Sequence, residues 1–182
     1  TSTYIGATGD ESVLEEKAPF VRARLLVEGE DEAYLQPERT SETASVYEHC
    51  CRSLDRSLTS GPHGLPLMGT GDWNDGMNRV GRHGRGESVW MGFFLATILD
   101  LFIPIVERRA DWERLRRYRQ YRQSLTEAID TAGWDGNWYR RAYYDDGAVL
   151  GSASSDECRI DAIAQAWSVM SGVASPERAK SA

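Results

Sequence analysis

Lysine is nearly missing from this 182-residue chain: Lys17 and Lys180 are the only two, so arginine carries almost all of the positive charge. A surplus of positive charge is missing too. There are 28 acidic against 21 basic residues, a net charge of −7, which argues against nucleic acid as a partner. Cysteine is scarce, and three residues with Cys50 and Cys51 adjacent make neither a disulfide framework nor a zinc pattern. That usage fits a reducing compartment, so a cytoplasmic location is expected. No signal peptide is recognised, and the longest apolar run, Val89 to Leu99, is too short and too interrupted to span a bilayer. No membrane contact by this chain is therefore expected. What remains is 41% apolar and 27% charged, the make-up of a globular chain long enough to bury one core.

The ends carry information of their own. The chain opens on Thr1-Ser2-Thr3-Tyr4 with no initiator Met. It closes just after Ser175-Pro176-Glu177, an N-cap, a first-position proline and a first-turn acid, with little helix to follow. Residues 1–182 are thus expected to be a partial domain, truncated at both ends and joined in nature to the rest of a longer polypeptide.

Most of the chain reads as helix. Residues 1–42 are acid-rich, with a short helix expected from Ser12 to Leu26, broken at Pro19, and a solvated turn at Glu28–Glu32. Ser41 or Thr43 is expected to cap a helix running to about Leu58, with Val46, Cys50, Leu54 and Leu58 as its buried face. His49 lies beside that stripe as a core or edge histidine. Ser88 to Glu107 is apolar nearly all round, a helix buried on most sides that Pro104 should kink or end. Asp111 to Ala132 is amphipathic, with Trp112, Leu115, Tyr118, Leu125 and Ile129 inward, an arginine-rich solvated face, and a stop at Gly133. One helix wrapped by others, followed by one with a wet face, suits a double-layered α/α barrel or a plain bundle. The stretch from Trp134 to Leu150 reads as a β-hairpin turning at Asp145-Asp146-Gly147. A polar loop from Ser152 to Ile160 follows, and then a helix capped by Asp161, with Ile163, Ala166, Trp167 and Met170 inward.

Between two helical segments lies Gly64-Leu65-Pro66-Leu67-Met68-Gly69-Thr70-Gly71-Asp72-Trp73-Asn74-Asp75-Gly76-Met77-Asn78. Glycine and proline make it a loop, and long loops inside compact domains often bind or catalyse. It carries two acids, two amides and an indole. A protonated carboxyl can serve a departing glycosidic oxygen while an aromatic face lies against a pyranose ring. Asp, Asn and Gly are also ordinary turn formers, so a purely structural loop is the competing reading. A calcium loop of the EF-hand kind is excluded, because its sixth and twelfth positions would be Met77 and His83. The following Arg79–Gly86 segment could cradle a phosphate on its glycines, although a plain surface connection fits as well, and no metal site is indicated.

The run Gly71-Asp72-Trp73-Asn74-Asp75-Gly76 resembles the catalytic loop of the inverting glycoside phosphorylases of glycoside hydrolase family 94. The longer runs Gly64–Gly81, Tyr47–Cys50, Gly133–Tyr143 and Glu157–Asp161 resemble the phosphorylase-like domain of cyclic β-1,2-glucan synthases and the β-1,2-oligoglucan phosphorylases. The resemblance implies a mainly α fold, part of an (α/α)6 barrel with a β-hairpin and long rim loops. It also implies that Asp75 is the general acid and that Trp73 lines the sugar subsite. Asp72 and Asn74 shape the loop at the substrate, while Glu157, and less directly Gln165, bind sugar hydroxyls. Asp75 would have to hold its proton as substrate binds, which partial burial or a neighbouring carboxylate such as Asp72 or Glu157 would favour.

Inorganic phosphate would then attack the anomeric carbon of a β-glucan or glucooligosaccharide from the opposite face and release α-glucose 1-phosphate, with no cofactor. The family's phosphate-binding segments and its β-sandwich domain are not found in these 182 residues, so this piece is expected to be inactive alone. If the parent is a membrane glucan synthase, its location is the cytoplasmic face of the inner membrane. The rival readings are an α/α-barrel hydrolase using water, a non-catalytic glycan-binding or chain-length-controlling module, and an arginine-rich interaction module on the helix from Asp111.

Overall fold

The computed structural model describes residues 1–27, 29–30 and 32–182, and the chain is mainly helical. It divides into two compact units, residues 1–58 and 59–182.

The first unit contains α1 (Ser2–Thr8), a 3₁₀ turn at Ser12–Glu15, strands β1 (Lys17–Arg22) and β2 (Glu38–Ser45), and α2 (Val46–Ser57). The helix expected over residues 12–26 does not form beyond that turn, because β1 pairs antiparallel with β2. Pro19 sits where the register slips between Pro19 and Val21, a place where a strand tolerates a residue without an N–H. Strand β2 takes up Ser41 and Thr43, so the cap of α2 falls on Ser45, whose Oγ accepts from the Glu48 amide at 3.2 Å. Its buried residues are Tyr47, Cys51 and Leu54, not a strict every-fourth-residue row, as a period of 3.6 requires. His49 is an edge histidine, donating from Nε2 to Ala18 O at 3.0 Å and stacking on Phe20. In the acidic run expected to turn at Glu28–Glu32, Glu28 and Asp31 lie outside the described residues. The Glu30 amide does close a turn on Val27 O.

The second unit is built on α3 (Val89–Arg108), against which α4 (Trp112–Ala128) and α5 (Ala162–Met170) pack. Val89, Phe93, Ala96, Leu99 and Val106 on α3 have no solvent exposure. By length and composition α3 could cross a membrane, but 56% of its apolar stretch is buried within the protein, so here it is a core helix. It ends at Arg108, within a residue of the bound read from sequence. Pro104 does not end it; this proline is exposed, on a side where the freed carbonyl can turn to water.

Helix α4 is capped by Asp111 and buries Leu115, Tyr118 and Leu125, whereas Trp112, in its first turn, is exposed. Its arginines are not simply a solvated face: Arg119 pairs with Glu107 and Arg122 with Asp100, both on α3. The helix leaves through a π turn at Ile129–Gly133.

The hairpin is present, but each strand is only two residues long. Strands β4 (Ala142–Tyr143) and β5 (Val149–Leu150) gain a third partner, β3 (Glu87–Ser88), giving an antiparallel sheet ordered β3-β4-β5. The buried residues of α5 are Ala164, Gln165 and Ser168; of the larger ones expected, Trp167 packs edge-on against Trp90 and Phe94 of α3, whereas Ala166 is exposed and Met170 is 69% exposed. Small side chains let this short helix sit close against its neighbours. α6 (Pro176–Ser181) is capped by Ser175 as its sequence requires.

Candidate functional site

The 64–78 loop stands on a small apolar base. Met68, Val80 and Ala142 are buried together, with Met77, Tyr144 and Leu150 packed against them, so both ends of the loop are held by its own methionines. Backbone crowds backbone beside this base. A Cβ on Gly81 would lie 2.8 Å from Gly69 O, and one on Gly86 2.3 Å from Val80 O, distances at which no side chain fits.

The first acid of the loop turns inward. Asp72 accepts from both prongs of Arg141, Nη1 to Oδ2 at 2.7 Å and Nη2 to Oδ1 at 2.8 Å. Ser88 Oγ donates to Oδ2 at 2.7 Å and the Asn74 amide to Oδ1 at 3.0 Å. The two charged side chains are 0% and 1% exposed. Burial pushes the Asp72 carboxyl up, but the Arg141 fork, the Asn74 amide and the Ser88 hydroxyl together hold it below the ordinary carboxylate value. A buried carboxylate fully occupied in this way is an anchor for the loop and has no face left for a sugar.

Because Asp72 points in, the next three residues point out. Trp73 is 71% exposed, and Asn74 and Asp75 are exposed beside it. Asn74 Oδ1 accepts from the Gly76 amide at 3.0 Å and caps a 3₁₀ turn, Asp75–Met77, so the amide shapes the turn. The partial burial expected for Asp75 is not found, and its neighbour Asp72 is already neutralised by Arg141.

A second polar loop is tied down from the hairpin. Asp135 accepts from Ser152 Oγ, the Ala153 amide and Arg140 Nε. Burial raises the Asp135 carboxyl, and these donors more than offset it, leaving it below its ordinary value. Trp138 Nε1 donates to the carbonyls of Gly151 and Arg159. Glu157 is exposed on this loop, next to Cys158 at φ 49°. At the loop's end Asp161 Oδ1 accepts from the Ile163 amide, while its Oδ2 lies 3.5 Å from Arg141 Nε.

Gln165 has a different job from the one the resemblance implied. Its Oε1 accepts from the Tyr139 amide at 2.8 Å, and its Nε2 donates to Tyr139 O and Asp161 O at 2.7 and 3.0 Å. It is 8% exposed. The amide is spent on clipping α5 to the hairpin.

The glycine-arginine segment does hold an anion, but an internal one. The amides of His83, Arg85 and Gly86 all donate to the Asp145 carboxylate, at 2.8, 2.8 and 2.9 Å. Sequence reasoning missed Arg141, Ser88 and Asp145 because each acts on a residue about 16 to 69 positions away, with no local spacing to announce it. Among the described residues no cluster of three or more His, Cys, Asp or Glu could hold a metal ion.

The chain belongs to the glycosyl hydrolase 94 superfamily, whose catalytic-domain model it matches over residues 1–182. It is 48% identical over 176 residues to the cyclic beta-(1,2)-glucan synthase NdvB of Rhizobium meliloti (strain 1021), covering 96% of this chain and 6% of that protein. It is 39% identical over 140 residues to a 3-O-beta-D-glucopyranosyl-beta-D-glucuronide phosphorylase of Paenibacillus borealis, covering 76% of this chain and 18% of that protein. With the solabiose phosphorylase of the same organism it shares 34% identity over 180 residues, covering 98% and 21%. The chain thus spans about a fifth or less of the length of these relatives.

Proposed function

We propose that this chain is the proton-donating part of an inverting phosphorylase domain, built as a section of an (α/α)6 barrel and acting on β-linked glucan, β-1,2 by preference. One observation carries the reading: Asp72 is locked inward by Arg141, which leaves Trp73 and Asp75 exposed on the same short turn. A sugar stacked on Trp73 supplies the cover that Asp75 lacks when the site is empty, and it favours the protonated carboxyl.

Asp75 gives its proton to the bridging oxygen. Phosphate attacks the anomeric carbon from the far side, the glycosidic bond breaks, and α-glucose 1-phosphate leaves with a shortened glucan. Phosphate is the nucleophile, so no second carboxylate has to activate a water. Glu157 contributes a hydroxyl contact from its loop. The remaining phosphate and sugar contacts belong to the rest of the natural polypeptide, and the 182-residue piece alone turns over nothing.

The test uses the natural full-length polypeptide with β-1,2-, β-1,3- and β-1,4-linked glucans, with and without phosphate. Sugar-phosphate release that needs phosphate and falls about 10²- to 10⁴-fold in Asp75→Asn is expected. Free glucose released without phosphate would make the protein a hydrolase instead. Turnover unchanged in Asp75→Asn would remove Asp75 from the chemistry.

A further inference from the structure

We infer that Arg141 is the positioning residue for Asp75, a single buried guanidinium that sets the place of the loop carrying Trp73 and the proposed proton donor. The inference rests on the reading of Asp75 as proton donor. Three separated parts of the chain converge on this side chain. Its two terminal nitrogens grip Asp72, three residues before Asp75. Nη1 also donates to Ser88 Oγ at 3.2 Å, and Ser88 is the N-cap of α3. Among the described residues its Nε makes no hydrogen bond and has only the Asp161 carboxylate near it, Oδ2 at 3.5 Å, where the Glu157 loop ends and α5 begins.

The base of the side chain is equally fixed. The Arg141 amide donates to Leu150 O at 2.8 Å, and its carbonyl accepts from the Val89 amide at 3.1 Å. Gly151, at φ 78°, leaves no room for a side chain above it: an added Cβ would lie 2.7 Å from the Arg141 nitrogen. Arg141 is 1% exposed, so it reaches substrate only through the residues it holds.

Lysine cannot replace this fork, since one ammonium cannot meet two carboxylate oxygens and a hydroxyl in a plane. A displacement of about 1 Å at a catalytic group costs on the order of a hundredfold in rate. Arg141→Lys and Asp72→Asn are therefore expected to lower kcat about a hundredfold, with a smaller rise in the glucan KM from the displaced Trp73.

The experiment measures phosphate-dependent turnover in the natural full-length polypeptide, on the linkage found active, for Arg141→Lys, Asp72→Asn, Asp75→Asn and the double variant Arg141→Lys/Asp75→Asn. Thermal unfolding is followed on each. If Arg141 acts by placing Asp75, Arg141→Lys adds no further loss once Asp75 is gone. Losses that multiply in the double variant, a KM rise with kcat intact, or wild-type kcat in Arg141→Lys would each overturn the inference. If Arg141→Lys does not fold, Asp72→Asn, which keeps the shape and weakens the grip, carries the same comparison. Wild-type turnover in Asp75→Asn defeats the proton-donor reading and this inference with it. Lost turnover there beside normal turnover in Arg141→Lys defeats the inference alone.

Discussion

His63 and Glu87 meet at 2.5 Å between Nδ1 and Oε2, with the carboxylate 1% exposed and the imidazole one-third exposed. The same carboxylate accepts from the amides of His63 and Leu65 at 3.0 Å each, and the imidazole stacks on Tyr143 at 3.8 Å. Glu87 belongs to β3 and Tyr143 to β4, so the pair joins the entrance of the 64–78 loop to the sheet beneath it. Glu87→Ala strands three donors around an empty space and is expected to cost about 3 kcal/mol or more. Glu87→Gln keeps one acceptor and should cost about half as much. Denaturant unfolding of the two variants checks the order.

Asp145 gives a pH prediction. Burial alone would raise its carboxyl, but the amides of His83, Arg85 and Gly86 lower it below the ordinary 3.8. A carboxyl whose folded value is depressed adds stability that is present above its unfolded value and lost as pH falls through the folded one. The stability difference between wild type and Asp145→Asn should therefore be flat from about pH 5 to 8 and shrink below about pH 4. Unfolding curves collected across that range test it.

Gln165→Leu keeps the volume and removes the clip. It leaves the Tyr139 amide and carbonyl without their partner, and a loss of about 1–3 kcal/mol is expected. Hydrogen exchange at the Tyr139 amide should quicken with it. Unchanged protection at that amide would place the hold on α5 elsewhere.

Trp73→Ala separates binding from folding. The side chain is 71% exposed, so stability should shift by no more than about 0.5 kcal/mol. Loss of an aromatic stack is expected to weaken glycan binding roughly two- to tenfold, read by titration calorimetry on the full-length polypeptide.

Pro104→Ala should stabilise. It restores the N–H that the helix interior lacks at an exposed position, a gain of about 1–3 kcal/mol, partly offset by a freer unfolded chain. A higher unfolding midpoint is the expected result.

Local chemistry made much of this fold legible. Ser175 and Asp161 cap the helices their sequences announce, and Asp145-Asp146-Gly147 turns the hairpin. The apolar run from Val89 onward is the core helix. What escaped depends on partners distant in sequence. β1 is a strand only because β2, some twenty residues on, pairs with it, and that pairing moved the cap of α2 to Ser45. On α5 the expected Trp167 does pack on α3, but the buried positions include Gln165, a clip that no hydrophobic pattern encodes. At the site, the exposed Trp73 and Asp75 lie on the loop that composition singled out. The opposite fates of Asp72 and Asp75, two like residues three apart, were decided by Arg141, 69 positions beyond Asp72.

The crowding of Gly81 and Gly86 against the main chain of Gly69 and Val80 also bears on which substitutions this loop tolerates. With main chain pressed on main chain, the foot of the arch has no slack for an inserted residue or a larger one. Room for change lies at its crest, at Trp73, whose exposed side chain can be exchanged without disturbing anything below.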